Sequence, residues 1–437
     1  MAGLNETPSG ERVHIGFFGV RNAGKSSLVN AVTGQDLAVV SDTPGTTTDP
    51  VRKAMELLPV GPVLIIDTPG IDDEGELGDL RVRKARRALD FVDVAVLVVD
   101  STNGLSSVDM ALIDEFQSRR VSYIVVSSKA DLMPSAVDPY SGLVELDERG
   151  VKQARIRVSS QEGWGVEELK GVIASLASQV ERQRKLVSDL LKPGDVAVLV
   201  VPIDSAAPKG RLILPQQQVI RDAVEAGAQA CVTSVEGLPG MLSALTSPPK
   251  LVITDSQVFG AVARIVPTEV PLTSFSILMA RYKGTLADQI DAVEALERLS
   301  DSSCVLISEG CTHHRQCEDI GTVKIPRWVC SICGASPRFE FTSGGEFPRD
   351  LSGYDAIIHC GGCMLNAREM ESRAGIAREQ DVPFTNYGMA IAKANGVFDR
   401  AIEPLTSEIS DEMADERQAC GTAQLCCATA YDLTLTT

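Results

Sequence analysis

The chain has 437 residues, 44% hydrophobic and 23% charged, with a formal net charge of -18. These are globular values at a length that suits about three domains of roughly 100–200 residues each. The negative balance repels phosphate backbones and argues against nucleic acid as a partner, and the longest basic stretch, RVRKARR at 81–87, reads as a solvated helix face.

The first stretch, MAGLNETPSGERVH, has no basic segment leading into an apolar one, so no secretory signal is expected. The longest apolar runs, VAVLVV at 94–99 and again at 196–201, are too short to span a bilayer and suit buried parallel strands. A cytoplasmic protein with no membrane partner is the expectation. In that compartment eleven cysteines argue for metal or redox chemistry rather than a disulfide framework. None precedes Cys231, and seven lie between Cys304 and Cys363.

HIGFFGVRNAGKSSLVNAV at 14–32 is a strand, a glycine-bearing loop and a helix. Gly19, Gly24, Lys25 and Ser26 satisfy G-x-x-x-x-G-K-S, with Asn22, Ala23 and Ser27 in the same loop. The glycines let backbone N–H groups turn toward phosphate oxygens, Lys25 adds charge at the β- and γ-phosphates, and the Ser26 hydroxyl ligates magnesium. TPGTTTD at 43–49 is a hydroxyl-rich loop suited to closing over magnesium. VLIIDTPG at 63–70 delivers Asp67 to the magnesium shell, with Gly70 able to follow the γ-phosphate. YIVVSSKADL at 123–132 delivers Lys129 and Asp131, whose carboxylate accepts two hydrogen bonds from guanine. IRVSSQEGWG at 156–165 offers Ser159 and Ser160 to the base edge.

Together these segments resemble the translation-factor-like GTPases, most closely the branch that includes the tRNA-modifying GTPases. The resemblance implies a potassium ligand at Asn22, hence potassium-stimulated hydrolysis, and the magnesium-binding switch threonine at Thr47. One departure is Ser128-Lys129-Ala130-Asp131 where the family has N-K-x-D, so the amide that braces the phosphate loop is expected to be lost. Ile71 follows D-T-P-G in place of a water-orienting glutamine, so intrinsic hydrolysis is expected to be slow, with the acidic run Asp72, Asp73, Glu74 read as a solvated switch loop.

The stretch 178–266 reads as a small α/β unit: strands at 196–203, 230–234 and 250–254, helices near 215–227 and 237–245. It holds no catalytic constellation, which leaves association or an inert spacer as its role, and Cys231 reads as a buried small hydrophobe.

Further on, CVLISEGCTHHRQC at 304–317 and AIIHCGGCMLN at 356–366 run from buried strands into polar tips, and WVCSICG at 328–334 is a second Cys-x-x-Cys. Cys330, Cys333, Cys360 and Cys363 could close a structural zinc site; that reading leaves Cys311, His313 and His359 unused. Cys311, Cys360 and Cys363 could instead hold a 4Fe–4S cluster, leaving one iron open. CTH at 311–313 followed by HCGGC at 359–363 looks like the signature of the FeFe-hydrogenase maturation GTPases, the HydF family, and the stretches at 202–222 and 274–284 resemble its middle and third domains.

The resemblance implies an α/β chain of three parts: a P-loop GTPase domain at 1–178, a dimerisation domain at 179–268 and an iron–sulfur cluster-binding domain at 269–437. It implies cluster ligation by Cys311, Cys360 and Cys363, with His313 and His359 as fourth ligand or as hydrogen-bonding neighbours. It further implies a scaffold and carrier that takes a diiron precursor from radical-SAM maturases to apo FeFe-hydrogenase. Cys317, Cys330 and Cys333 fall outside the motif, and Cys420, Cys426 and Cys427 read as packed small residues. The alternative is a GTPase switch acting on tRNA or the ribosome with a structural zinc module.

Overall fold

The computed structural model describes residues 7–35, 51–71, 76–133, 142–181, 185–203, 212–310, 319–345 and 347–405. They form three sheets distributed over two compact units, residues 1–184 with 364–372 and residues 185–363 with 373–437.

The first unit holds a seven-stranded sheet: β1 Val13–Phe18, β2 Val51–Leu57, β3 Gly61–Asp67, β4 Val94–Asp100, β5 Ser122–Ser128, β6 Val144–Leu146 and β7 Lys152–Arg157. Their order is β2-β3-β1-β4-β5-β7-β6, with antiparallel edges at β2 and β6 and parallel pairing between. Helices α1 Lys25–Thr33, α2 Glu76–Ala88, α3 Ser107–Ser118 and α4 Val166–Glu181 cover it. Successive residues of a strand point to opposite faces, and both faces here are covered. Val94, Val96 and Val98 therefore pack toward α1 and α4, while Ala95, Leu97 and Val99 pack toward α2 and α3. That double burial is why VAVLVV is a continuous apolar run. On α2, Ala85 and Ala88 are buried while Arg83, Arg86 and Arg87 are exposed, the solvated basic face read from the sequence. The start of α3 is fixed by a capping box, Ser106 with Asp109.

The second unit holds two sheets. One comprises β8 Val196–Val200, β9 Gln229–Thr233, β10 Leu251–Thr254 and β11 Leu272–Ser274; the other β12 Cys304–Glu309, β13 Arg338–Ser343, β14 Ala356–His359 and β15 Phe384–Asn386. Both are fully parallel. Helices α5 Leu214–Glu225, α6 Leu238–Ala244, α7 Phe259–Ile265, α8 Phe275–Tyr282 and α9 Leu286–Asp291 accompany the first of them. The second has α10 Ile325–Cys333, α11 Ala367–Glu379, α12 Tyr387–Ala394 and α13 Phe398–Ile402. One apolar core runs from Leu186 through β8, β10 and α8 to Met389, Ala392 and Ala401, and a second gathers Val305, Ile307, Ile325 and Ile358 around β12 and β14. The elements expected between 196 and 254 are present with ends moved by up to three residues. Cys231 in β9 is only partly buried, a correction to the buried reading.

The two sheets repeat one another. Their strand orders, β9-β8-β10-β11 and β13-β12-β14-β15, are the same. So is the register: Val200 pairs with Thr233 and Thr254, and Thr254 with Ser274, while Ser308 pairs with Thr342 and His359, and His359 with Asn386. The closing segments, VPLTSFSILMARYKG at 270–284 and VPFTNYGMAIAKANG at 382–396, are alike in sequence. Each runs from a strand into a helix capped by its own side chain, Ser274 accepting from the Ile277 N–H and Asn386 from the Met389 N–H. Thr254 thus corresponds to His359, Asp255 to Cys360, Ser256 to Gly361 and Ser276 to Gly388.

Candidate functional site

In the first unit the tip of β1 turns into α1 through Gly19, whose φ of +138° admits glycine and whose Cα comes so close to the Val98 carbonyl that an added Cβ would lie 2.3 Å from it. Asn22 (φ 61°) and Gly24 (φ 95°) are also left-handed, curling the loop; the Asn22 side chain is exposed at its crest. The Lys25 ammonium donates to the carbonyls of Gly19 (2.9 Å) and Val20 (2.7 Å). Asp67, at the end of β3, faces it. Burial pushes the Asp67 carboxyl up to about 6, against the pull of the Lys25 charge and a hydrogen bond from Ser26. Asp67 Oδ1 is buried and has no hydrogen-bond partner among the described residues, as a carboxylate oxygen that ligates a cation would. Gly70 approaches the loop so closely that a Cβ on it would lie 3.1 Å from Arg21 Cα. Thr47 lies outside the described residues.

On the neighbouring strand tip, Ser128 donates its hydroxyl to the Ala23 carbonyl at 2.5 Å, with the Val99 carbonyl 3.1 Å away. The expected loss of the brace is therefore corrected: the shorter serine reaches the phosphate loop through its hydroxyl. Removing it in Ser128→Ala strands a buried carbonyl and is expected to weaken nucleotide binding by about 5- to 10-fold, roughly 1 kcal/mol, measurable by calorimetric titration with GDP. Lys129, in left-handed conformation, pairs with Asp100, and the Ala130 N–H donates to the Val158 carbonyl, joining the loop of Asp131 to that of Ser159 and Ser160. Ser159 is buried and accepts from the Glu162 N–H through its hydroxyl.

In the second unit β14 ends at His359, followed by Cys360, Gly361, Gly362 and Cys363. Cys360 Sγ accepts the N–H of Gly310 (3.1 Å), at the end of β12, and that of Gly362 (3.4 Å), whose φ is 61°. A sulfur already receiving two backbone donors at the joined tips of parallel strands is the arrangement in which a thiolate is stabilised and ligates a metal. Cys311 follows Gly310 in the chain; it and His313 lie outside the described residues, as do Cys317, Cys420, Cys426 and Cys427.

His359 is fully buried. Its Nε2 lies 2.9 Å from the Arg373 guanidinium, which can only donate, so Nε2 accepts and Nδ1–H donates to the Cys360 carbonyl at 2.7 Å. Burial, reinforced by the Arg373 charge, holds the imidazole down at about 3, hence neutral. Arg373 was not singled out in the sequence; it is buried, donates to the Gly344 carbonyl (2.8 Å) and lies over the Phe347 ring.

Cys330 and Cys333 sit on α10, capped by Gly334 in left-handed conformation, with Cys333 Sγ turned toward the Ala335 carbonyl. They do not converge with Cys360 and Cys363. Among the described residues no group of three or more His, Cys, Asp or Glu comes together as a metal site.

Three family models match the chain on either side of an unmatched stretch at 130–185. The 50S ribosome-binding GTPase model matches residues 14–129, the hydrogen maturase F dimerization domain residues 186–284, and the hydrogen maturase F tetramerization domain residues 287–404. The chain belongs to the hydrogen maturase F family. It carries a P-loop GTPase domain followed by that family's two association domains. Two curated relatives each align with about two fifths of the chain. The tRNA modification GTPase MnmE of Synechococcus sp. (strain JA-2-3B'a(2-13)) is 33% identical over 168 residues, 38% of this chain and 34% of the relative. GTPase Der of Kosmotoga olearia is 30% identical over 180 residues, 39% and 40%. The chain thus spans a third to two fifths of these relatives' length. A solved bacterial selenocysteine-specific elongation factor EF-Sec aligns at 20% identity and TM-score 0.32, covering 40% of this chain and 30% of its own. No described helix is long and apolar enough to cross a membrane.

Proposed function

We propose that this chain is a GTP-hydrolysing iron–sulfur scaffold that receives a diiron precursor from radical-SAM maturases and delivers it to apo FeFe-hydrogenase. The observation that carries the reading is the Cys360 sulfur, held by two backbone N–H groups at the joined tips of β12 and β14, in a chain of hydrogen maturase F make-up. Cys311, Cys360 and Cys363 hold a 4Fe–4S cluster, which supplies one iron open to an exchangeable ligand. One peptide link, about 3.8 Å between Cα atoms, joins Cys311 to the Gly310 whose N–H already touches Cys360. His359 spends both ring nitrogens inside the protein, so it acts by orienting the Cys360 backbone rather than by ligating iron.

In the GTPase domain Gly19, Ala23, Gly24, Lys25, Ser26 and Ser27 cradle the phosphates. Ser26, Thr47 and Asp67 hold magnesium, which supplies charge neutralisation at the β- and γ-phosphates, and Asn22 holds potassium. The unpartnered Asp67 Oδ1 supports the magnesium assignment. Lys129, Asp131, Ser159 and Ser160 receive guanine, and Gly70 follows the γ-phosphate. Hydrolysis is slow and potassium-stimulated. The parts are residues 1–178, 179–268 and 269–437; the protein is a cytoplasmic homodimer that takes no nucleic acid.

Anaerobic reconstitution with iron and sulfide tests the reading. The expected product is brown, absorbs near ~400 nm and gives a cubane EPR signal on reduction, and each of Cys311→Ser, Cys360→Ser and Cys363→Ser lowers its iron content. A colourless protein holding one tight zinc sinks it. The second reading, a switch acting on tRNA or the ribosome, is favoured by the match to the 50S ribosome-binding GTPase model and by the tRNA modification GTPases among the relatives. It requires strong, salt-sensitive RNA binding, which a net charge of -18 opposes.

A further inference from the structure

The repeated sheets of the second unit meet at equivalent points. A Cβ placed on Gly388 would lie 2.5 Å from Ser276 Cβ, so α8 and α12 cross in near contact at corresponding residues. The same Cβ would lie 3.1 Å from Ser256 Oγ, and a Cβ on Gly361 would lie 3.3 Å from Ser276 Oγ. The contacts Gly388–Ser256 and Ser276–Gly361 exchange when the repeats are exchanged. That is the mark of a local two-fold relation, with residue i of one half touching j of the other and j touching i. The Asn386 side chain adds a hydrogen bond to the Ser276 carbonyl at 3.1 Å.

Across this axis the tip of β10, Asp255-Ser256-Gln257, stands where the second repeat has Cys360-Gly361-Gly362. It is a fixed support. Asp255 caps the turn Ser256–Val258 by accepting from the Gln257 N–H at 3.0 Å, and the Gln257 side-chain carbonyl accepts from Lys324 Nζ at 3.0 Å. Lys324 closes the turn Ile320–Lys324, which begins two residues beyond the Cys311–Glu318 stretch. The first repeat therefore grips both chain segments that flank the sulfur site, through Ser276 on one and Gln257 on the other. Within it Ser256 Oγ is buried and has no hydrogen-bond partner among the described residues. A buried hydroxyl of that kind calls for an acceptor.

We propose that the first repeat, which carries no cysteine at its strand tips, forms the second wall of the sulfur site, with Ser256 and Ser276 as positioning residues whose hydroxyls donate to sulfur acceptors held by the Cys360–Cys363 loop. The proposal rests on the iron–sulfur reading above. It assigns a division of labour to the duplication: the second repeat supplies thiolates, the first supplies shape and donors. Hydrogen bonds to cluster sulfur favour the more negative, reduced form, so removing them makes reduction harder.

The test uses the full chain reconstituted anaerobically with iron and sulfide, as parent, Ser256→Ala, Ser276→Ala and the double variant. Each change deletes one oxygen and introduces no clash, so iron content is expected to stay at the parental level. The cluster's reduction potential is expected to move negative in each single variant and furthest in the double, with altered g-values in its EPR spectrum. A double variant whose potential and EPR coincide with the parent's overturns the proposal. A parent that builds no cluster overturns the iron–sulfur reading and this proposal with it, whereas a parent with a normal cluster isolates the serines. Ser276→Val, whose added methyls press on Gly361 and Gly388, is expected to lower iron content as well, and unchanged iron content there counts against the wall.

Discussion

Lys25→Ala is expected to reduce GTP turnover by about 10²–10³-fold while iron uptake on reconstitution stays at the parental level. The Lys25 ammonium donates to the Gly19 and Val20 carbonyls and balances the Asp67 carboxyl, so it both closes the phosphate cradle and supplies charge where the transferred phosphoryl becomes more negative. Deleting one preorganised electrostatic donor of that kind costs about 2.7–4 kcal/mol in comparable sites. Two buried-side carbonyls also lose their donor, so nucleotide affinity falls together with turnover. The cysteines proposed to hold iron belong to the other compact unit, which has its own core, and that is why iron content is expected to be indifferent. Phosphate release and iron content measured on the same preparation decide it. Turnover within tenfold of the parent removes Lys25 from the catalytic apparatus.

How far the sequence carries this depends on how local each feature is. The phosphate loop was legible because its requirements are met within a few residues: Gly19 must pass Val98, Gly24 must turn left-handed, and both glycines stand at the spacing the loop needs. The Ser128 brace was not foreseen because only the loss of the amide was read, and the position of the Ala23 carbonyl, which brings it within reach of the hydroxyl, comes from tertiary structure. Cys330 and Cys333 looked like half a metal clip because a Cys-x-x-Cys spacing is also an i,i+3 spacing, which a helix places on one face. α10 uses it that way. The duplication of the second unit was missed although VPLTSF and VPFTNY are both in plain view. Its signal is short, and parallel sheets with the same register arise from sequences that share only the apolar pattern. Arg373 was invisible for a different reason: an arginine on an otherwise charged helix reads as solvated, and its burial follows only from Phe347, Gly344 and His359 converging on it.

Arg373→Met tests that convergence and is expected to cost about 2–4 kcal/mol of stability. Methionine fills much of the arginine's volume, so the loss is polar rather than a cavity. His359 Nε2 is left as a buried acceptor without that donor, at roughly 1–3 kcal/mol, and the part-buried Gly344 carbonyl loses the same donor at a smaller cost. The imidazole cannot escape by changing tautomer, since moving the proton to Nε2 removes it from the Cys360 carbonyl. Relief from burying a guanidinium offsets part of this, which keeps the expected value below the plain sum. If the damage comes from the stranded ring nitrogen, removing the nitrogen repairs it. The double variant Arg373→Met with His359→Leu is then expected to be more stable than the two single losses added together, by about 1 kcal/mol or more. Urea unfolding followed by circular dichroism on all three variants measures the coupling. Additive losses sever Arg373 from His359. A coupling of the expected size, joined to a fall in iron content in Arg373→Met, ties the orientation of Cys360 to a side chain thirteen positions away on α11.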